Sequence, residues 1–466
     1  MTALSPTAPS PSAPSPTEMT RAVALVVRPA AALRGSPRLP GDKSISHRAL
    51  LLGLLAEGRS TIVGLSEGED VRSTRSIIEA LGARVEVGDV DASDRVTVDS
   101  DGLASLTPPS RPLDCGNAGT TMRLVAGILA GQPFAATLDG DDSLRSRPMG
   151  RVIEPLRAMG ASVSAAAGDR APLEIGGRAH LTAIDWTPEV ASAQVKSAIL
   201  LAGLRADGTT IVRESVATRD HTERMLRARG VAVRSRDDGR GGDVVELDGG
   251  QAVRPYDESI PGDVSAAAFW LVAGVAHPDA SLELEAVGIN PGRRAAIDLL
   301  REMGGDIEER RAISAQGGTL DPEPGEPAAD LVVRSSNLRS IDVDGRSVAA
   351  AIDEIPVLAL AATQARGTSR FRSIGELRVK ESDRIAGIVA GLRALGADIA
   401  VDGNDLVVVG PTPLHGAEVD GQADHRLVMT FAIAGLLAAG QTTIHGAASH
   451  AISDPGFLTE LERIRP

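Results

Sequence analysis

Aromatic side chains make up only 2% of this 466-residue chain: five Phe, two Trp and one Tyr. Alanine, leucine and valine must therefore fill whatever core it has. There is one cysteine, Cys115, which excludes an internal disulfide and a cysteine-built metal cage. The 8 histidines do not cluster at ligand spacing. Both facts fit a reducing cytoplasm and a site without metal. No apolar run is long enough to span a bilayer. Positive charge is also short, with a net charge of −14, which argues against a nucleic-acid or acidic-membrane partner. An anionic substrate would have to be met by cations gathered locally. Lysine is nearly missing: Lys43, Lys196 and Lys380 are the lysines among 48 basic residues. A retained lysine marks a place where a compact ammonium is wanted and a planar guanidinium is not.

What is present is ordinary for a globular protein, 42% hydrophobic and 24% charged, and long enough for two or three domains. Residues 1–20 are rich in Pro, Ser, Thr and Ala, without the basic start and apolar stretch of a signal peptide. They read as a disordered tail.

Beyond the tail the chain repeats itself, with a period of roughly 70 to 90 residues. One landmark is a small apolar helix running into an alternating strand, as at Ala56-Glu57-Gly58-Arg59-Ser60-Thr61-Ile62-Val63 and Ala206-Asp207-Gly208-Thr209-Thr210-Ile211-Val212. Another is a helix closed by a glycine, as at Leu81-Gly82-Ala83, Met159-Gly160-Ala161, Arg229-Gly230-Val231, Met303-Gly304-Gly305 and Leu395-Gly396-Ala397. A glycine suits the left-handed residue just past a helix end. The first helix of each unit is apolar almost all round: Ala49–Ala56, Leu124–Ala130, Ala198–Leu204, Ala266–Ala276, Val357–Ala362 and Leu427–Ala439. Such a helix is buried on every side. The pattern predicts an α/β protein of two cores, three units each, with helices inside and sheets outside.

Polar residues gather where these helices begin. Ser44 and Arg48 share one face of the first. Asn117-Ala118-Gly119-Thr120-Thr121-Met122-Arg123 opens the second, Ser192-Ala193-Gln194 the third, Ile352-Asp353-Glu354 the fifth and Asp424-His425-Arg426 the sixth. Helix N-termini attract phosphates and carboxylates. Simple N-capping is the competing account of the Ser, Asn, Asp and Thr residues, but it does not explain Lys43, Arg48, Gln194 and Arg426. In the fourth unit, Pro261-Gly262-Asp263-Val264 echoes Pro40-Gly41-Asp42-Lys43 without the lysine, so that copy reads as scaffold. Cys115 reads as a small buried residue. Lys196, within an apolar helix, either backs the site or reaches a crevice.

Taken in order, Pro40-Gly41-Asp42-Lys43-Ser44-x-Ser46-x-Arg48, Gly116-Asn117-Ala118-Gly119-Thr120, Arg147-Pro148-Met149-Gly150, Arg378-Val379-Lys380-Glu381-Ser382-Asp383-Arg384 and Asp424-His425-Arg426 resemble the 5-enolpyruvylshikimate-3-phosphate synthases, class II branch. The likeness runs from about residue 34 to the C-terminus. It implies transfer of the enolpyruvyl group of phosphoenolpyruvate to the 5-hydroxyl of shikimate 3-phosphate, with no cofactor and no metal, by a cytoplasmic monomer inhibited by glyphosate. It implies two inside-out α/β barrels of three repeats each, one formed by residues 39–254 and the other by 21–38 with 255–466, closing like jaws. Carried over by position, Lys43, Ser44, Arg48, Ser192, Gln194, Arg219, Asp353 and Lys380 would hold shikimate 3-phosphate. Lys43, Gly119, Arg147, Gln194, Arg384 and Arg426 would hold phosphoenolpyruvate. Asp353 would take the hydroxyl proton and Glu381 would protonate the methylene carbon, with Lys43 touching both substrates. The chain departs from some relatives at Ala193 and Glu376 and lacks a lysine in Ile452-Ser453-Asp454-Pro455. UDP-N-acetylglucosamine enolpyruvyl transferase is the nearest rival, but it carries a cysteine before its Arg-Pro pair, and residues 140–148 have none. A non-catalytic anion-binding scaffold would have no use for Glu381.

Overall fold

A computed structural model describes residues 24–88, 95–176, 180–311 and 325–466. The expected tail at 1–20 lies outside them.

The six apolar stretches are helices: α1 (Lys43–Leu55), α2 (Gly119–Ala130), α3 (Ala193–Gly203), α4 (Val264–Ala276), α5 (Ile355–Thr363) and α6 (His425–Leu437). None has a solvent face of any width. Every residue of α4 from Val264 to Val275 is buried, as is every residue of α5. Burial of each leucine contributes about 2 kcal/mol relative to exposure, so no orientation of these helices at a surface would compete. With so few aromatics the cores are aliphatic. The exception is a small cluster where Phe457 lies 4.9 Å from Trp270 and 6.1 Å from Phe269 between ring centroids.

The buried side chains form two separate clusters. One spans Ile45 to Ile260 around α1, α2 and α3. The other takes Val27 and Leu33 and then everything from Val264 to Ile464, around α4, α5 and α6. Core membership therefore changes between Ile260 and Val264, a few residues beyond the expected boundary at 254–255. The short strand Glu258–Ser259 explains the shift, because it pairs with Glu57–Val63 of the first cluster.

Sheets lie outside the helices, and five of them have the same four-stranded order. In each, a short lead strand runs parallel to a central strand, which pairs antiparallel with a third. Asp185–Trp186, Thr209–Glu214 and Asp243–Asp248 are one such set. A two-stranded sheet pairs Leu181–Thr182 with Ala206–Asp207, and the sheet of the sixth unit has three strands, Glu418–Asp420, Thr442–His445 and Ala24–Val27. Here the start of the chain supplies the third strand of the last unit. Leu33–Gly35 then leads the fourth unit's sheet through Ala280–Gly288. The glycines expected to end the second helices do so with positive φ, at Gly82 (109°), Gly160 (93°), Gly230 (79°), Gly304 (91°) and Gly396 (96°).

The two crossings between lobes run side by side. Gly41 bridges Gly262 antiparallel, Asp42 N–H donates to the Pro261 carbonyl at 2.8 Å, and Asp263 N–H donates to the Pro40 carbonyl at 2.9 Å. The first and fourth units, whose sequences echo each other, thus meet at the junction.

Candidate active site

The helix starts face this junction. Capping accounts for part of the polar pattern: Asp42, Ser192, Asp263 and Asp424 each accept a backbone N–H in the first turn of their helices. The cations do something else. Arg48 is buried, donating to the Ser44 carbonyl (2.8 Å), Thr222 Oγ1 (2.7 Å) and Ser197 Oγ (2.8 Å). Burial pushes its guanidinium down to about 10, so it keeps its charge at neutral pH. Lys43 pairs with Asp70, and its backbone N–H donates to Asp263 Oδ2 at 3.2 Å. An ammonium has three donors, so Asp70 does not exhaust it.

Asp353 is the centre of the arrangement. It lies 3.6 Å from Arg219 of the first lobe, and 3.7 Å from Lys380 and 3.3 Å from Arg384 of the second. Burial alone would raise its carboxyl. Arg426, Lys380, Arg219 and Arg384 outweigh burial and hold it well below the usual carboxylate range. Arg384 is itself enclosed by carboxylates, donating to Asp424 Oδ2 (2.8 Å) and Glu381 Oε2 (2.6 Å) as well as to Asp353. Glu381 is likewise pushed up by burial, but Arg384, its own backbone N–H and Arg147 bring it below the ordinary value. Since Arg147 belongs to the first lobe, that influence crosses the cleft.

At the start of α2, Arg147 Nη2 donates to Asn117 Oδ1 at 2.5 Å. A side chain on Gly119 would put its Cβ 3.4 Å from Arg147 Nη1 and 2.8 Å from Arg123 Nη1. Gln194 is clamped: Arg123 Nη1 donates to its Oε1 (2.7 Å) and its Nε2 donates to Thr120 Oγ1 (2.8 Å). Ser44 and Ser192 are half-buried at the starts of α1 and α3. Lys380 also reaches Glu376 at 2.9 Å.

Several groups at the junction were not singled out from the sequence. Asp70 holds Lys43. Arg123 holds Gln194, although it stands on the polar stretch that opens α2. Arg293 is buried, donating to Ser265 Oγ at 2.5 Å, and Ser265 in turn donates to Glu354 Oε1. Glu354 lies 3.8 Å from Arg293 and 3.7 Å from Arg426. Arg293 and Ser265 sit in the fourth unit, so that copy is more than scaffold: it braces the fifth and sixth. Its signal in the sequence was weak, since an arginine in Asn290-Pro291-Gly292-Arg293-Arg294 looks like any surface arginine.

The site is thus a crevice between two lobes in which cations outnumber the carboxylates they face, with two carboxylates held ionised among them. It is built to take small, multiply charged anions and to move protons beside them. Among the described residues no group of His, Cys, Asp and Glu is placed to hold a metal ion, and no helix is long and apolar enough to cross a membrane.

Comparison with known proteins agrees with this chemistry. The family profile of EPSP synthase (3-phosphoshikimate 1-carboxyvinyltransferase) matches residues 27–461. A 3-phosphoshikimate 1-carboxyvinyltransferase of Synechococcus sp. (strain JA-3-3Ab) is 48% identical over 454 residues, covering 96% of this chain and 98% of that one. A protein of the same name from Gloeobacter violaceus is 48% identical over 446 residues, covering 95% and 99%. Among solved structures, an EPSP synthase from Acinetobacter baumannii superposes with a TM-score of 0.84 at 38% identity, covering 95% of this chain and 98% of that one. The enolpyruvyl transferase NikO from Streptomyces tendae shares the fold at 20% identity, with a TM-score of 0.75 and coverage of 95% and 97%.

Proposed function

The chain belongs to the EPSP synthase family, and we propose that its own residues divide that family's work as follows. The reaction moves the enolpyruvyl group of phosphoenolpyruvate onto the 5-hydroxyl of shikimate 3-phosphate and releases phosphate. It serves aromatic amino-acid biosynthesis by way of the shikimate pathway. Ser44, Arg48, Ser192, Gln194, Arg219 and Lys380 hold shikimate 3-phosphate. Gly119, Arg147, Gln194, Arg384 and Arg426 hold phosphoenolpyruvate, and Lys43 bridges the two. The two substrates bring about six negative charges, which on a protein of net charge −14 only such a cluster could hold.

Asp353 takes the proton of the 5-hydroxyl as that oxygen attacks the central carbon of phosphoenolpyruvate. Glu381 gives a proton to the methylene carbon, which becomes the methyl of a tetrahedral intermediate. Loss of a proton from that methyl and departure of phosphate restore the double bond. Positioned acid and base groups typically contribute about 10²–10⁴-fold each. The residues come from both halves of the chain, 39–254 and 21–38 with 255–466, which act as two jaws; their closure assembles the set and expels water. A cytoplasmic monomer is the matching assembly, supported by the single cysteine and the completeness of the site within one chain.

The observation that carries this reading is Asp353, ionised between Arg219 of one lobe and Lys380 and Arg384 of the other. Phosphate release on mixing the protein with both substrates, with each omitted in turn, tests it. Release is expected with the pair and with neither alone. Lys43→Met, Asp353→Ala and Glu381→Gln are each expected to lose at least about 100-fold in turnover with an unchanged circular-dichroism spectrum. Wild-type turnover in any of them removes that residue from the scheme.

A further inference from the structure

Lys196 takes no part in the steps above, yet it is one of the three lysines the chain keeps. It lies on α3 with 1% of its side chain exposed. Its Nζ sits 2.7 Å from Glu214 and 2.7 Å from Glu223, and both carboxylates are equally buried. Glu214 ends the strand Thr209–Glu214. Its Oε1 accepts the Thr218 hydroxyl and its Oε2 accepts the Thr218 N–H at 3.4 Å, while Lys196 Nζ also reaches the Thr218 carbonyl at 3.5 Å. The next residue in the chain is Arg219, which faces Asp353 across the cleft. Lys196 therefore ties the base of this loop to α3.

The residues next in sequence hold Arg48. Ser197 and Thr222, next in sequence to Lys196 and Glu223, donate and accept between themselves at 2.7 Å, and both accept from the Arg48 guanidinium. Arg48 and Arg219 thus rest on two neighbouring groups, each joining α3 to the helix His221–Ala228 or the strand Thr209–Glu214 and linked to each other through adjacent residues of the same helices. Stability alone is a poor account of it. A buried ion pair is on average no more stabilising than well-packed apolar groups of the same volume. What it offers is a fixed geometry. Burial works against the Lys196 charge, but Glu223 and Glu214 outweigh it and raise the ammonium above its ordinary value. The tether is permanent rather than switchable.

We propose that Lys196 is a positioning residue for the shikimate 3-phosphate end of the site, holding Arg219 through Glu214 and Thr218 and Arg48 through Ser197, Thr222 and Glu223. The proposal rests on the assignment of Arg48 and Arg219 to that substrate.

Steady-state kinetics on the full chain test it. Lys196→Met is expected to raise the KM for shikimate 3-phosphate roughly tenfold, with the KM for phosphoenolpyruvate changed less than about twofold and kcat affected less than the first KM. Lys196→Met leaves two buried carboxylates without a cation, so Thr218→Val serves as the variant that leaves the three charges intact and removes the side-chain link of the tether, the hydroxyl bond to Glu214, while the two backbone links at Thr218 stay. It is expected to raise the same KM roughly three- to tenfold, and Thr218→Ser, which keeps the hydroxyl, to stay at the wild-type value. Arg219→Ala separates the two ideas. If Arg219→Ala raises the KM for shikimate 3-phosphate while Lys196→Met and Thr218→Val both leave it unchanged, or Lys196→Met raises both KM values equally, the positioning role is overturned while the site assignment stands. If Arg219→Ala leaves that KM unchanged, the assignment falls and the proposal with it.

Discussion

Glu381 donates its proton in the scheme above, yet Arg384 at 2.6 Å holds it ionised. The conflict resolves once phosphoenolpyruvate arrives. Its anionic groups take up the field of Arg384 and Arg147, and the burial that opposes ionisation then prevails. Phosphoenolpyruvate binding should therefore raise the Glu381 carboxyl and take up a proton. Titration calorimetry in buffers of different ionisation enthalpy reads that proton directly, and Glu381→Gln should abolish it. Binding without proton uptake in the wild type would rule out this route. Asp454 poses the opposite case, since burial raises its carboxyl to about 7, with Asp263 and Glu460 adding to it. A carboxyl raised from its unfolded value leaves the fold unpenalised below about pH 4 and increasingly penalised as pH climbs toward 7. Asp454→Asn keeps an acceptor for the Gly456 N–H. It should stabilise the protein by a few kcal/mol at about pH 8 and by nothing near pH 4, as read by urea unfolding at both. Legibility at this scale followed rarity. Lys43 and Lys380 stood out because the chain has almost no lysine. Asp70 and Arg293 belong to common residue types, and long-range packing alone brings them to the site.

In the proposed scheme helix starts carry the chemistry, and the α6 start carries two tasks at once. Asp424 Oδ1 caps the Arg426 N–H at 2.9 Å, while Oδ2 takes Arg384 at 2.8 Å and Ser382 at 2.9 Å. The cap is worth about 1 kcal/mol. Removing one partner of a buried pair costs about 3–5 kcal/mol, so the charge matters more than the cap. Asp424→Asn keeps the cap and loses the charge; Asp424→Ala loses both. Both should weaken phosphoenolpyruvate binding at least about tenfold, and in urea unfolding the alanine variant should be only about 1 kcal/mol less stable than the asparagine one. A gap several times larger would make capping the dominant role. The long apolar helices and their closing glycines were readable because burial on all sides leaves an unbroken apolar stretch. Lead strands such as Leu113–Asp114 and Glu258–Ser259 were not. Two residues hold no periodicity, and only their partner strand defines them.

Each lobe closes as a ring because the chain gives strands back across the junction: Glu258–Ser259 leads the first unit's sheet, while Ala24–Val27 and Leu33–Gly35 complete the sixth and fourth. Repeats in the sequence announce three units per core, but the exchange is a property of the circle and appears in no single unit. It also forces both crossings into one place, where Gly41 and Gly262 pair. The proposed jaw motion would bend this pair of strands, so its tolerance for bulk is a test of the closing mechanism. A Cβ on Gly41 would lie 1.9 Å from the Gly64 carbonyl oxygen and 3.2 Å from Ile260 Cγ2. The obstacle is backbone, so it cannot swing aside, and the strand must shift instead. Ile260 belongs to the first lobe's core, so the shift falls where that core meets the crossing, and the circular-dichroism spectrum checks that both lobes still fold. With that spectrum unchanged, Gly41→Ala should lose at least about 100-fold in kcat/KM, the scale expected when reacting groups are misplaced by about 1 Å. Small-angle scattering should show wild-type compaction on adding both substrates and little in the variant. If Gly41→Ala compacts and turns over normally, the paired crossings are a passive link, and closure has to be governed by the cross-cleft charges around Asp353 alone.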